Sequence, residues 1–306
     1  MTRPVAIVSF AASEPQAEVA ESETQMLFPV ISEAIERSGI PRADIGFTCS
    51  GSADYLAGTP FAFVGNLEAV GAWPPISESH VDMDGAWALY EAWVRLQHGD
   101  VDVALAFSSG ISSRSDLREV LCLQNDPYYL MPLWADHDSL AGLQAQAVHE
   151  AGLVPDASVR PAPASDGAAA VVMVAGDRAR EVCERPAWIR GIEHRTDPHY
   201  VGLRDLTDAP SARLAAEAAG VGDAPVEMAA LSASHPHEEV LLRRAFGLGD
   251  EVEVRTGGDP LMVAGLGHIG AAFRAINEGG RRRTVGHATS GPCLQQNLVC
   301  VLEGDA

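Results

Sequence analysis

The chain has 306 residues, 47% hydrophobic and 21% charged, enough apolar material for one large core or two and an ordinary globular composition. A formal net charge of −21 repels nucleic acid and anionic membrane surfaces, so neither is an expected partner. No apolar run approaches the roughly 20 residues of a membrane span, and the apolar stretch at 4–10 has the wrong flanks for a signal peptide, so a cytoplasmic protein is expected.

Residues 5–10 read as a first strand. Residues 22–38 follow a period near 3.6 and read as a helix closed by Gly39; Pro29 marks either a kink or the start of its regular part. A second strand is expected at 45–49, then a glycine-rich aromatic loop with a short helix at 51–65, and a helical stretch at 66–70. Residues 74–80 lead into the next helix. Ala86, Leu89, Trp93 and Leu96 recur at helical spacing, which predicts a helix over 85–97 that His98-Gly99-Asp100 stops. Residues 101–107 read as a buried strand, and Ser108-Ser109-Gly110 as a turn at its C-terminal end, where open α/β sheets bind ligands.

The stretch 113–150 is the least regular. Its run NDPYYLMPLWADHD at 125–138 has the aromatic, turn-rich character of a functional or interfacial loop, and 139–152 reads as helix. An exposed crossing segment is expected at 155–163, then a turn and buried strand at 165–175 and a short helix at 178–183. Strands follow at 188–194 and 226–232, helices at 209–220 and 237–247. A glycine turn, Thr256-Gly257-Gly258, precedes a helix at 266–278, the triplet Arg281-Arg282-Arg283, a polar loop at 287–297 and a last strand at 298–302. Two such αβ halves packed back to back give a five-layer α/β/α/β/α arrangement. Cys49, Cys122, Cys183, Cys293 and Cys300 are scattered, odd in number and without CxxC spacing, so free thiols are expected rather than disulfides or a metal site.

Four stretches resemble the thiolase superfamily, especially the sterol-carrier-protein-type thiolases and the lipid-transfer-protein aldolases of steroid side-chain degradation. GDVDVALAFSSG at 99–110, with the helix before it, is similar to the family's nucleophile helix and following strand. SDGAAAVVMVAGDRA at 165–179 is similar to a hallmark of its N-terminal half. Residues 230–249 stand in the place of its Asn-Glu-Ala-Phe or His-Asp-Cys-Phe loop, and 256–270 in the place of Gly-Gly followed by Gly-His-Pro. The resemblance implies an α/β, thiolase-like five-layer αβαβα fold, with an N-terminal half over 1–195, a loop region cut down to about 116–164, and a C-terminal half over 196–306. It implies a coenzyme A thioester as substrate with no other cofactor. It also implies a homodimer, or a heterodimer with another thiolase-like chain, paired through the strand at 101–107 or its neighbour. A zinc-ribbon/OB-fold acyl-CoA-binding protein is a further partner of this superfamily.

The catalytic set departs from the family. Aligned on Gly85, the nucleophilic cysteine falls on Asp82. Aligned on Gly257-Gly258 and Pro260, the Gly-His-Pro histidine becomes Asp259; aligned on Gly267-His268, it survives as His268. The Asn or His of the third loop falls at Ser232, and the final Cys-Gly-Gly within 288–291, beside Cys293. Thiolysis needs a thiolate to carry the acyl group, and a carboxylate at Asp82 does not supply one. Retro-aldol cleavage of a β-hydroxyacyl-CoA needs only a base and donors for the thioester enolate. The catalytic candidates are Asp82, His235, His237, Asp259, His287 and Cys293. Asp84, Tyr128, Tyr129, Ser232, Gly257 and Gly258 are the substrate-binding candidates.

Each candidate has a structural reading beside the functional one. Asp82 or Asp84 caps the following helix, a contribution of about 1 kcal/mol. His235-Pro236-His237-Glu238-Glu239 either serves as acid/base or metal ligand, or satisfies a helix start; it is not the HExxH zinc motif. His268 reads as a packed core or interface residue. Cys293 is either reactive or a small buried apolar group. Arg281 to Arg283 either meet the CoA phosphates or form a solvated basic turn. Tyr128-Tyr129 line a pocket, cover an interface or dock a partner. Two functions therefore stand: an acyl-CoA lyase or acyltransferase, and a non-catalytic subunit paired with a catalytic chain. Convergence of Asp82, Asp259 and the His235/His237 group on an open cavity favours the enzyme, and a filled cavity the subunit.

Overall fold

The computed structural model describes residues 3–71, 76–160 and 165–305; parts of the expected segments 74–80 and 155–163 lie outside them. The chain runs β1 (Val5–Ala12), α1 (Glu23–Ser38), β2 (Phe47–Gly51), α2 (Asp54–Ala57), α3 (Ala62–Val70), β3 (Ser77–Val81), α4 (Gly85–His98), β4 (Val103–Ile111), α5 (Leu117–Leu123), α6 (His137–Glu150) and β5 (Asp166–Ala175). It continues through α7 (Arg178–Val182), β6 (Ala187–Thr196), α8 (Pro210–Ala219), β7 (Met228–Ser232), α9 (Pro236–Phe246), β8 (Glu253–Gly257), α10 (Ala264–Asn277), β9 (Arg283–Ser290) and β10 (Gln296–Glu303).

Helix ends follow local chemistry. Ser22 and Gln25 form a capping box at the start of α1, Gly39 in the left-handed conformation closes it, and the helix runs on through Pro29. Asp84 caps α4 by accepting the Ala86 N–H, and Gly99 ends it. α9 opens on Pro236 at its first position and closes at Gly247.

The strands are hydrogen-bonded in the order β3-β2-β4-β5-β1-β6-β10-β9-β7-β8. The β1–β6 junction consists of Ala6↔Trp188 and Ile7↔Ala187 alone, so the order divides there into two five-stranded sheets. The division falls between Ala175 and Ala187, which puts all of β6 in the second sheet. Strand alternation builds the layers. In β4, Val103, Leu105 and Phe107 face α1, while Ala104 and Ala106 face α4. In β10, Leu298, Cys300 and Leu302 face the middle, while Val299 and Val301 face α8 and α9. α4 and α10 thus form a helical layer between the sheets, with Leu89, Leu96, Leu266 and Ile269 in one shared core. Each such fully buried side chain contributes roughly 1.5–3 kcal/mol. The result is the five-layer α/β/α/β/α fold.

Several expectations are corrected. Ser108-Ser109-Gly110 are not a turn: β4 keeps its antiparallel pairing with β5 as far as Ile111. Residues 77–81, expected as a lead-in, pair parallel with β2 as an edge strand. Residues 253–257 pair parallel with β7, so Thr256 and Gly257 belong to a strand and the glycine turn begins at Gly258, two residues later than expected. Residues 283–290 form β9 between β10 and β7, which turns His287 from a loop residue into a sheet residue. β4 lies between β2 and β5, so it has no free edge for a partner chain; the first sheet's edge among the described residues is β3.

Candidate active site

β3, β7 and β8 run parallel to their neighbours β2 and β9, and their C-terminal ends open on one side of the molecule. Three turns meet there, as α/β sheets arrange them: Asp82 to Asp84 before α4, Ser232 into the first turn of α9 at Glu238, and Gly258 into the first turn of α10 at Gly265. The β9–β10 hairpin supplies Thr289 to Cys293, and the long excursion between β4 and β5 supplies Leu121, Leu130, His137 and Asp138 as a roof. Together they enclose an open cleft of about 620 Å³, a volume within the range of small-molecule sites.

Asp84 ties two helix starts together. Its Oδ1 accepts the N–H of Ala86 (2.8 Å) and of Leu266 (3.0 Å), and its Oδ2 that of Gly265 (2.9 Å). One carboxylate therefore satisfies the open amides of both α4 and α10, where helix dipoles favour negative charge. Burial pushes its pKa above the ordinary carboxylate value, and the three backbone hydrogen bonds oppose that rise. The approach demands glycine at 265, where a Cβ would lie 2.4 Å from the Ala288 Cβ and 2.5 Å from Asp84 Oδ1. Both Asp84 oxygens are thus engaged by backbone. Asp82, two residues earlier, is exposed and lines the cleft.

The α9 turn is arranged differently. Glu238 is 8% exposed and lines the cleft. Its Oε2 accepts the N–H of Ser234 (2.8 Å) and of His235 (3.1 Å), and no hydrogen bond to Oε1 is present among the described residues. Burial lifts its pKa to about 7, with those two N–H groups pulling the other way. His235 Nδ1 accepts the Arg160 N–H at 3.1 Å, which places the proton of the neutral ring on Nε2. Burial lowers the His235 pKa, and the ring lines the cleft facing His137 and Asp138 of α6. Gly258 stands against Ser234, whose Oγ would lie 1.8 Å from any Cβ there.

Cys293 sits on the hairpin with a left-handed φ of 57°, followed by Leu294 at 56°. Such backbone costs roughly 1–2 kcal/mol per residue. It is held by the Arg204 guanidinium, which donates to the carbonyls of Pro292 and Cys293, and by Asn297 Nδ2 on the Leu294 carbonyl at 2.8 Å. The Cys293 thiol donates to the Leu140 carbonyl, and burial pushes its pKa up to about 12. At neutral pH it is therefore a thiol and not a thiolate nucleophile.

Of the candidates, Asp82, Asp84, Ser232, His235, Gly258, Asp259 and Cys293 line the cleft. Asp259 is half-buried, which raises its pKa, and makes no hydrogen bond among the described residues. The others do not reach it. His287 is fully buried in β9: Nδ1 accepts the Ser232 N–H, Nε2 donates to Asn297 Oδ1 at 2.9 Å, and burial pushes its pKa to about 3. His237 lies beneath the cleft, stacked on His235 with ring centroids 5.5 Å apart. Tyr128 and Tyr129 are 81% and 52% exposed on the outer surface, Tyr129 stacking on Tyr200. Gly257 lies behind the lining, beside His268, whose Nδ1 meets Ser232 Oγ at 3.0 Å. Sequence reasoning missed Glu238 as a separate residue, and with it His137, Asp138, Asp126 and His199. The signal for Glu238 was present: an acidic residue three positions after a helix-opening His-Pro.

The chain contains no lysine; its 21 basic residues are all arginine, and none lines the cleft among the described residues. Six carboxylates do: Asp82, Asp84, Asp126, Asp138, Glu238 and Asp259. Among the described residues no cluster of three or more His, Cys, Asp or Glu could hold a metal ion, and no helix is long and apolar enough to cross a membrane.

No protein-family model matches the chain, and no curated protein matches it by sequence. Solved structures match its fold. Human mitochondrial 3-ketoacyl-CoA thiolase superposes with a TM-score of 0.74 at 13% identity, covering 99% of each chain, and it has also been solved in complex with CoA. The Bacillus anthracis acetyl-CoA acetyltransferase gives 0.70 at 15% identity, again over 99% of each chain. The Ltp2–ChsH2(DUF35) aldolase gives 0.74 at 15% identity, covering 99% of this chain and 98% of that one. At these identities the likeness shows the fold alone.

Proposed function

We propose that this thiolase-fold chain acts on a carbon–carbon bond of an acyl-CoA by retro-aldol cleavage and not by thiolysis. The observation that carries the reading is the cleft's set of groups. The turn before α4 brings a carboxylate, Asp82, and the one cysteine on the lining is a buried thiol with a pKa of about 12. Thiolysis needs a thiolate. Retro-aldol chemistry needs a base, and a donor for the enolate oxygen that develops on the thioester. His235 offers such a donor at Nε2, and the backbone around Gly258 lies on the same wall.

The cleft's charge supports a reaction at an uncharged group. Six lining carboxylates and no lining arginine repel phosphate. The thioester and β-hydroxyl are neutral, so this end of the substrate enters while the CoA phosphates stay outside. Leu121, Leu130, Leu261 and Met262 line the same volume and suit a bulky apolar acyl group, such as a lipid or steroid side chain. The fold shared with the CoA-bound human thiolase and with the Ltp2–ChsH2(DUF35) aldolase supports both the substrate class and action beside a second chain. The edge strand β3 is the surface for pairing with a copy of this chain or another thiolase-like chain; the Phe63 ring stacks on its His80 at 4.4 Å.

The test is to offer β-hydroxyacyl-CoA, and separately β-ketoacyl-CoA with free CoA, to the protein with every chain that co-purifies from its host. Cleavage of the first to a carbonyl compound and a shortened acyl-CoA, without thiolysis of the second, is expected. Robust thiolysis sinks the reading. Cleavage only when a second chain is present makes this chain part of a heteromeric enzyme.

A further inference from the structure

We propose that Glu238 carries the proton in this reaction, taking it from the substrate's β-hydroxyl and returning it to the α-carbon. The inference rests on the retro-aldol reading above and names the group that performs it. Glu238 lies in the first turn of α9, with Oε2 fixed by two backbone N–H groups at 2.8 and 3.1 Å. Oε1 has no hydrogen-bond partner among the described residues, on a side chain that is 8% exposed and lines the cleft. A carboxylate pinned at one oxygen and open at the other is aimed. Its rivals are not: Asp84 has both oxygens engaged, Asp126 gives Oδ2 to the Tyr129 N–H and keeps Oδ1 3.4 Å from His199, Asp259 lacks a hydrogen bond to orient it, and Asp82 and Asp138 are exposed. Burial holds the Glu238 pKa at about 7, near the operating pH that suits a group required both to accept and to release a proton.

The step balances. The Oε1 lone pair takes the β-hydroxyl proton as the oxygen's electrons form the new C=O. The Cα–Cβ bond breaks and its electron pair passes to the thioester enolate, toward which His235 Nε2–H donates. Glu238, now a neutral acid, returns the proton to Cα, leaving a ketone or aldehyde and the shortened acyl thioester. Cys293 and His235 are the titratable groups beside Glu238, with His237 stacked on His235 and His137 and Asp138 behind it; Asp82, Asp84, Asp126, Asp259 and His199 complete the titratable lining of the cleft.

Kinetics on β-hydroxyacyl-CoA from about pH 5 to 9 test this in the whole protein with any partner chain it requires. E238Q is expected to lower kcat by about 10²–10⁴-fold with KM nearly unchanged, and to lose a limb near neutral pH that the parent protein shows. E238D should regain part of the rate. Unchanged kcat with the same limb in E238Q overturns the inference and leaves retro-aldol cleavage standing. No cleavage by the parent protein under any pairing overturns both. If E238Q does not fold, an infrared titration of the parent protein replaces it, with E238D assigning the band. A protonated carboxyl persisting to near neutral pH supports the inference, and full deprotonation by about pH 5 overturns it.

Discussion

Two buried carboxylates stand at helix starts on one cleft, Asp84 as the cap of α4 and Glu238 in the first turn of α9, and they differ in how many donors they meet. Asp84 receives three backbone N–H bonds spread over both oxygens and ties α4 to α10. Glu238 receives two, both on one oxygen, and keeps the other open to the cleft. Burial raises both pKa values. What separates a joint from a chemical group is the unspent lone pairs: fully donated oxygens hold helices together, while an undonated oxygen is left for a substrate proton.

Removing the joint should have the largest effect. Asp84→Ala leaves three buried N–H groups without a partner and should destabilise the protein by about 3 kcal/mol or more, read from the midpoint of a urea transition. G265A attacks the same joint from the other side and should cost roughly 1–3 kcal/mol, since the new Cβ meets Asp84 Oδ1 at 2.5 Å. Equal, small effects from D84A and from a surface Asp would break the comparison.

Glu238 should behave in the opposite sense and depend on pH. Its pKa is about 7 in the folded chain and ordinarily 4.5, so its contribution to stability is full below 4.5 and is lost as pH rises through 7. The size is on the order of 3 kcal/mol at 1.36 kcal/mol per unit. His237 and His268, lowered to about 4, and His287, lowered to about 3, act the other way: their contribution is present above 6.5 and lost on acidification. The clean measurement is therefore the difference between parent and E238Q stability, which should shift in favour of E238Q between about pH 5 and 8. A pH-independent difference would remove Glu238 from the neutral range.

Cys293→Ala should have the smallest effect, below about 1.5 kcal/mol, because it removes one buried thiol and a bond to the Leu140 carbonyl. The parent thiol should resist alkylation at neutral pH in the folded chain. Rapid modification of Cys293 would show that the hairpin opens and would restore it as a nucleophile.

The fold was legible where strands are apolar. The runs in β4, β5 and β10 alternate between two cores and announce themselves by composition. β3, β8 and β9 were not legible, because SESHV, EVRTG and RTVGHATS carry polar side chains at positions that edge exposure or a side-chain hydrogen bond satisfies. His287 is the clearest case. A histidine in a polar run reads as a site residue, yet Ser232 and Asn297 consume both of its nitrogens inside the sheet. The cleft was half legible. The resemblance to the thiolase pattern, aligned on Gly85 and on Gly257-Gly258, singled out Asp82 and Asp259, and both line it. The roof residues His137 and Asp138 come from an irregular excursion whose path no periodicity reports, and the exposure of Tyr128 follows from that path.

Under the proposed acyl-CoA reading, the absence of lysine has a consequence. Thioesters acylate free amines slowly and without a catalyst, and the ε-amino group is the usual victim. A chain whose 21 cations are all guanidinium groups offers no such amine along its length. Chronic exposure to an acyl thioester would leave its surface charge, and the arginine pairs that fasten strand to strand, chemically unaged.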